Sequence, residues 1–235
     1  MKTHEWGTAP EFVGPRHELR EQLLLNLFLS SRPGPRVLDA GAGQGSMSAR
    51  LERHGFEVTS IDVSRAAVDA LRRRLDGEVR QASVTELPFD DEAFDAAVLG
   101  EVLEHVEDDR GALAEVARVV GPGGTIALSV PADPRLFGPS DEWAGHVRRY
   151  TRESLLELCA GAGLRVERCS AWGFPLSRLY HRHVYERYLD RHGPRPPGGR
   201  HRPLVAVVGA LLQVDRLFVG VERGALGYLL LATRP

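Results

Sequence analysis

A chain of 235 residues, 43% apolar and 26% charged, is long enough for one sizeable α/β domain with a decorated edge and too short for two. Its formal net charge of -2 argues against nucleic acid as the main partner, and Cys159 and Cys169 suit small buried thiols in a reducing compartment rather than a disulfide framework or metal site. The N-terminal MKTHEWGTAPEF lacks the apolar core of a signal peptide and no apolar run reaches about 18 residues, which predicts a cytoplasmic protein without a transmembrane segment.

The first element is an amphipathic helix over residues 16 to 30, with Leu19, Leu23, Leu24 and Leu27 toward one face and the breakers Pro33, Gly34 and Pro35 behind it. His17 lies on this helix, where a solvent-facing position is favoured over one reaching a ligand. Next comes RVLDAGAGQGSMS, Arg36 to Ser48: an apolar run, an acid at Asp39, glycines at 41, 43 and 45, and residues that start a helix. This is the order of the opening βα unit of a nucleotide-binding α/β fold, in which a missing Cβ lets backbone approach a ligand at a helix N-terminus. A dinucleotide fingerprint would place glycine three residues after Gly43, but Ser46 stands there.

A helix over 46–54 ends at Gly55, and Glu57 to Asp62 alternates like a strand with an acid at its end. A carboxylate about 20 residues past the glycine turn accepts hydrogen bonds from ribose hydroxyls in such folds, and Asp62 meets that spacing. Capping of the helix that begins near Ser64 is its alternative role. A helix over 64–75, a short strand over 78–82 and the turn Leu87-Pro88-Phe89 follow. Phe94 to Leu99, ending in Gly100, reads as a buried strand whose carboxyl end faces the ligand side. Glu101 and His105 then lie four apart, on one face of a helix that starts there. After a helix end, Gly121-Pro122-Gly123-Gly124 turns the chain into the strand Thr125 to Val130.

The D-x-G-x-G-x-G of residues 39–45, Asp62, the L-P-F turn, the E-x-x-E-H of 101–105 and the P-G-G turn occur in the order found in class I S-adenosylmethionine-dependent methyltransferases. The chain resembles small-molecule members of that family, of the quinone-biosynthesis type, over roughly residues 36–172 and the last strand. The resemblance implies a Rossmann-like α/β fold with helices on both faces of a seven-stranded sheet, order 3-2-1-4-5-7-6, the last strand antiparallel. It implies that S-adenosylmethionine is the cofactor. Its methionine end would be held by Asp39 with the backbone of Gly41 and Gly43, its ribose by Asp62, and its adenine by Val63, Ser83 and Val84, with Gly100 closing the cleft. Ser83 departs from the acid common at that position.

Pro131 to Tyr150 is loop-like and dense in reactive groups, and its Gly145 to Tyr150, G-H-x-R-R-Y, is similar to a segment of the same family. His146 is the first choice for general base, because an imidazole is neutral and accepts a proton near pH 7, with His105 in reserve. A structural His146 paired with Asp141 is the other reading. Trp143, Arg148, Arg149 and Tyr150 are candidates for the acceptor site, the arginines for an anionic acceptor or as braces of the helix that Thr151 caps. That helix runs to Ala162, Leu164 to Trp172 reads as the sixth strand and Ala225 to Thr233 as the last.

Between them lies a helical insert of about residues 173–224, expected to act as a lid on one domain spanning 1–235, with an N-terminal cap helix over 11–33. From Arg178 to Arg202 it carries seven arginines against Glu186 and Asp190, with four histidines. This patch is open to a solvated surface, an anionic substrate, a homodimer contact or peripheral membrane contact. Its histidines lack partners at ligand spacing, so no metal is expected. The function read from these features is methyl transfer to a small-molecule acceptor, with O-methylation of a hydroxyl or carboxylate favoured and N-methylation open. The alternatives are a nicotinamide-dependent oxidoreductase, which Ser46 and the absence of any lysine beyond Lys2 disfavour, and a catalytically silent cofactor-binding partner or sensor.

Overall fold

The computed structural model describes residues 14–192 and 202–235; residues 11–13 of the expected cap helix and 193–201 of the insert lie outside that range. Helix α1 (Pro15–Ser30) precedes strand β1 (Arg36–Ala40), α2 (Ser46–Arg53), β2 (Glu57–Asp62), α3 (Arg65–Leu71), β3 (Glu78–Gln81) and β4 (Phe94–Gly100). After α4 (Asp109–Val119) come β5 (Val120–Pro131), α5 (Pro139–Ala144), α6 (Arg152–Gly161) and β6 (Arg165–Trp172). The insert is α7 (Leu176–Tyr180), a π-helical turn (His181–Tyr185), α8 (Glu186–His192) and α9 (Arg202–Leu212), before β7 (Gly227–Thr233).

The seven strands form one sheet in the order β3-β2-β1-β4-β5-β7-β6, with β7 antiparallel to both neighbours and the other pairs parallel. The central strands are apolar on both faces because helices cover both: Leu38 and Leu99 pack in one core layer, Val37 and Val98 with Phe28 of α1 in the other. Strand order reverses between β1 and β4, whose carboxyl ends therefore diverge and leave the crevice where such sheets bind ligands.

Two expectations change. No helix begins at Glu101: that residue sits at φ 61° at the end of β4, its N–H donating to the carbonyl of Ser129 at 3.0 Å, and only a 3-10 turn, Leu103–His105, follows. The P-G-G segment continues a long β5 from Val120, since Gly124 brings the chain back against β4.

Candidate active site

The turn after β1 is built by its glycines. Gly41 adopts φ 77°, and a Cβ there would lie 2.7 Å from Val102, so a side chain is refused on both strain and space. Gly43 adopts φ 52°, but a Cβ there would meet nothing within 4 Å, because its backbone faces an open cavity. Asp62 braces this turn: one carboxylate oxygen accepts from Gly43 N at 2.9 Å and the other from Ser64 N at 2.8 Å. The cap of α3 itself is Ser64, whose hydroxyl accepts from Ala67 N, so Asp62 spans the two loops rather than capping the helix.

Asp39 lies under the turn, 2% exposed, accepting from the Ser48 hydroxyl, which in turn accepts from Ser60 at 2.9 Å. Burial raises its pKa to about 7, and the nearby charges of Glu21 and Asp62 push the same way. The cavity these residues line has a volume of about 670 Å³ and also reaches Val63, Ser83, Val84, Gly100, Trp143 and Arg149. Ser83 is engaged locally, its hydroxyl 2.7 Å from that of Thr85.

Helix α1 closes the cavity from above. His17, expected to face solvent, lines it instead and contacts Glu21 at 2.9 Å; burial holds its imidazole below the usual range, with the Arg20 charge acting in the same direction. Burial opposes ionisation of Glu21, but hydrogen bonds from His17 and Ser46 outweigh it and hold the carboxyl at about 2. Glu21, Arg16 and the aromatic insert residues Tyr180, Tyr185 and Tyr188 are lining residues that the sequence did not single out.

At the far end His146 and His105 meet edge to face, ring centroids 4.6 Å apart. Asp141 sits 2.8 Å from His146 Nδ1 and accepts from Arg149 through Nε and Nη2. Burial opposes the charge on Asp141, but those partners hold its pKa at about 2. An Nδ1–H donated to Asp141 leaves Nε2 as the acceptor nitrogen. Burial and the charge on His146 lower the His105 pKa to about 4. Glu104 is fully buried, with neither carboxylate oxygen hydrogen-bonded among the described residues, and burial beside Glu101 raises its pKa well above the carboxylate range. Glu104, His105 and His146 each bring a ligand atom within 4.8 Å of the others, and because His146 comes from a separate segment no local ligand spacing announces the cluster.

Two candidates stand apart from the cavity. Arg148 reaches Glu107 O at 2.7 Å and Asp109 at 2.8 Å, and Tyr150 is buried with its hydroxyl donating to Asp109 at 2.9 Å, so both brace the start of α4. Arg149 does line the cavity, but its charge is paired with Asp141 and one Nη1–H is donated to Ala132 O at 3.2 Å, so it is a brace of Asp141 before it is a clamp for an anionic acceptor.

The sheet order and its crevice make a Rossmann-like fold that the chain shares with solved S-adenosylmethionine-dependent methyltransferases. Residues 38–128 match the family model described as a methyltransferase domain. Among curated relatives, a demethylmenaquinone methyltransferase of Clavibacter sepedonicus is 41% identical over 99 residues, 40% of each chain. A ubiquinone biosynthesis O-methyltransferase of Alkalilimnicola ehrlichii is 41% identical over 107 residues, 43% of each chain. The alignments thus span less than half of those two relatives' length. The [4+2]-cyclase SpnF shares the fold at a TM-score of 0.64 and 23% identity, covering 100% of this chain and 87% of that one. Residues 38–128 are thus similar to a methyltransferase domain, and that similarity implies S-adenosylmethionine as the cofactor.

The residues present fit that cofactor. Gly43 offers backbone open to the cavity, Asp62 a carboxylate suited to a ribose diol, and Asp39 and Glu21 acidic groups where an amino acid's ammonium is to be placed.

Proposed function

We propose that the protein transfers a methyl group from S-adenosylmethionine to a hydroxyl of an aromatic small-molecule acceptor, with His146 as general base. The observation that carries this reading is the Asp141–His146 pair opening onto the same cavity as the glycine turn and Asp62. The bound cofactor supplies a methyl already activated on a sulfonium. The protein has to align the acceptor oxygen with that methyl, exclude water and take one proton. His146 Nε2 would accept the hydroxyl proton and Asp141 would stabilise the imidazolium that results, the bound cofactor giving up its methyl from sulfur to the oxygen and leaving as the thioether. Trp143, Tyr180, Tyr185 and Tyr188 give the acceptor end aromatic walls, which suits a ring, and the relatives named for quinone biosynthesis support that class. A carboxylate acceptor would need no base, and it loses its expected clamp because Arg148 and Arg149 are committed elsewhere.

A second reading rests on Glu104, His105 and His146, whose two imidazoles and one carboxylate suit a divalent cation that would acidify the hydroxyl in place of the base. Turnover on a panel of phenols and catechols, with and without chelator, separates them. Activity indifferent to chelation and abolished in His146→Ala supports the base, whereas loss on chelation with rescue by added Mg²⁺ or Zn²⁺ supports the cation. No methylated product from any phenol, enol or carboxylate, with cofactor still bound, would point to the silent binding role.

A further inference from the structure

The segment between β6 and β7 turns one face to the cavity and another, strongly apolar, to solvent. Val207, Leu211, Val214 and Phe218 recur at steps of four, three and four along α9 and the 3-10 turn Gln213–Phe218 that follows, and they are 56, 57, 43 and 37% exposed. Leu217 beside them is 83% exposed. Along α9 the step of four places Val207 and Leu211 on one face, and the exposed Val214, Leu217 and Phe218 extend that apolar stripe through the 3-10 turn.

The stripe is not a core face left open by loose docking, because the other side of the same element is anchored. Helix α9 packs on α1, Leu212 is buried, and the buried Asp215 accepts from the backbone N–H groups of Leu176 and Ser177 at 2.8 and 2.7 Å. On the neighbouring turn Leu179 and Val184 are also more than half exposed, while Tyr180 and Tyr185 of that turn line the cavity.

Charge chooses the occupant. Of the described residues here, Arg178, Arg182, Arg187, Arg191, Arg216 and Arg223 stand against Glu186, Asp215 and Glu222, in a chain whose formal charge is -2. Of those acids Asp215 is spent on backbone amides, and Glu222 pairs with Arg152 at 3.0 Å. Two copies meeting through this face would oppose like charge across an apolar seam, whereas an anionic lipid surface offers both an apolar layer and phosphates for the arginines.

We propose that this face docks the protein on an anionic membrane surface, α9 lying in the headgroup plane with its apolar stripe toward the acyl chains. The attraction of the arginines to such a surface is electrostatic, so it weakens with salt. The site is separate from the chemistry assigned to His146, and docking does not depend on that assignment. It would place the cavity mouth beside a lipid phase from which an apolar acceptor is drawn.

The test is co-sedimentation of the full chain with sucrose-loaded vesicles of phosphatidylcholine alone and of phosphatidylcholine with about one third phosphatidylglycerol, without acceptor, at low and high salt. The expected result is binding to the anionic vesicles at least tenfold tighter than to the neutral ones, weakened at least tenfold by high salt. The double variant Leu211→Asp, Leu217→Asp is expected to lose that binding while melting and binding S-adenosylhomocysteine like the wild type. Absence of binding, equal binding to both vesicles, or undiminished binding by the double variant would each overturn the proposal. So would sedimentation equilibrium showing a dimer that the same variant dissociates, which would give the stripe to a second copy.

Discussion

Two carboxylates at the ends of neighbouring strands carry opposite obligations. Asp62 is shared between two loops, so Asp62→Ala removes a partner from Gly43 and Ser64 as well as the carboxylate proposed to hold the cofactor's sugar. Isothermal titration with S-adenosylhomocysteine should show affinity weakened by about 1–3 kcal/mol, the cost of stranding hydrogen-bonded groups. Burial instead raises the Asp39 pKa to about 7 from an ordinary 3.8, so its proton is retained below neutral pH. The folded protein therefore binds this proton more tightly than the unfolded chain does. Its contribution to stability is complete below about pH 4 and is lost as pH rises through about 7. Asp39→Asn should melt above the wild type at pH 8, by up to about 4 kcal/mol, and alongside it near pH 4, because asparagine never ionises. Identical pH profiles for the two proteins would show that the proton is not held there. At the other end of the cavity, His146→Ala should lower kcat about 100- to 10,000-fold in single-turnover assays with cofactor affinity unchanged. His105, already held neutral with a pKa of about 4, should matter less to the rate.

At the scale of elements, the tie between α1 and α2 decides whether the cofactor crevice has a roof. Glu21 contacts His17 at 2.9 Å, accepts from Ser46, and pairs with Arg50 at 3.3 Å, so one buried carboxylate holds two helices across the glycine turn. Its folded pKa of about 2 lies below the ordinary 4.5, so the stability it contributes is present above about pH 4.5 and drains away as pH falls toward 2. Glu21→Gln keeps the shape and removes the charge. It should flatten that acid limb of the melting curve, read by circular dichroism between pH 2 and 6. This tie also marks where the sequence stops being readable. Asp39, the glycines, Asp62 and the buried run of β4 were legible because each is bound to a local period or turn whose physics needs only its neighbours. Glu21 and Ser46 are 25 residues apart and Arg16 and His181 are 165 apart, hydrogen-bonded in the fold with nothing in either local stretch to announce it. Arg148 and Tyr150 misled for the same reason: their residue types suit an acceptor site, and only the position of Asp109 under them shows that they hold a helix start.

For the molecule as a whole, the cavity joins parts that would otherwise be independent. Its walls come from the ends of β1, β2 and β4, from α1, and from α5 and the insert, so a ligand filling it bridges the sheet to both of its coverings. A ligand that binds only the folded chain stabilises it by about 2.7 kcal/mol at a hundredfold excess over its Kd. For a chain of this size each kcal/mol moves the melting temperature by about 2–4 °C, so S-adenosylhomocysteine should raise it by about 5–11 °C in differential scanning calorimetry. NAD and NADP should leave it unmoved, because Ser46 begins α2 where a dinucleotide fold needs glycine for the close approach of helix and pyrophosphate. The same shift should shrink in Asp62→Ala by the loss in affinity measured on titration, since both experiments read one binding equilibrium. A melting temperature raised by NADP and indifferent to S-adenosylhomocysteine would instead return the crevice to hydride chemistry, whatever the sheet order.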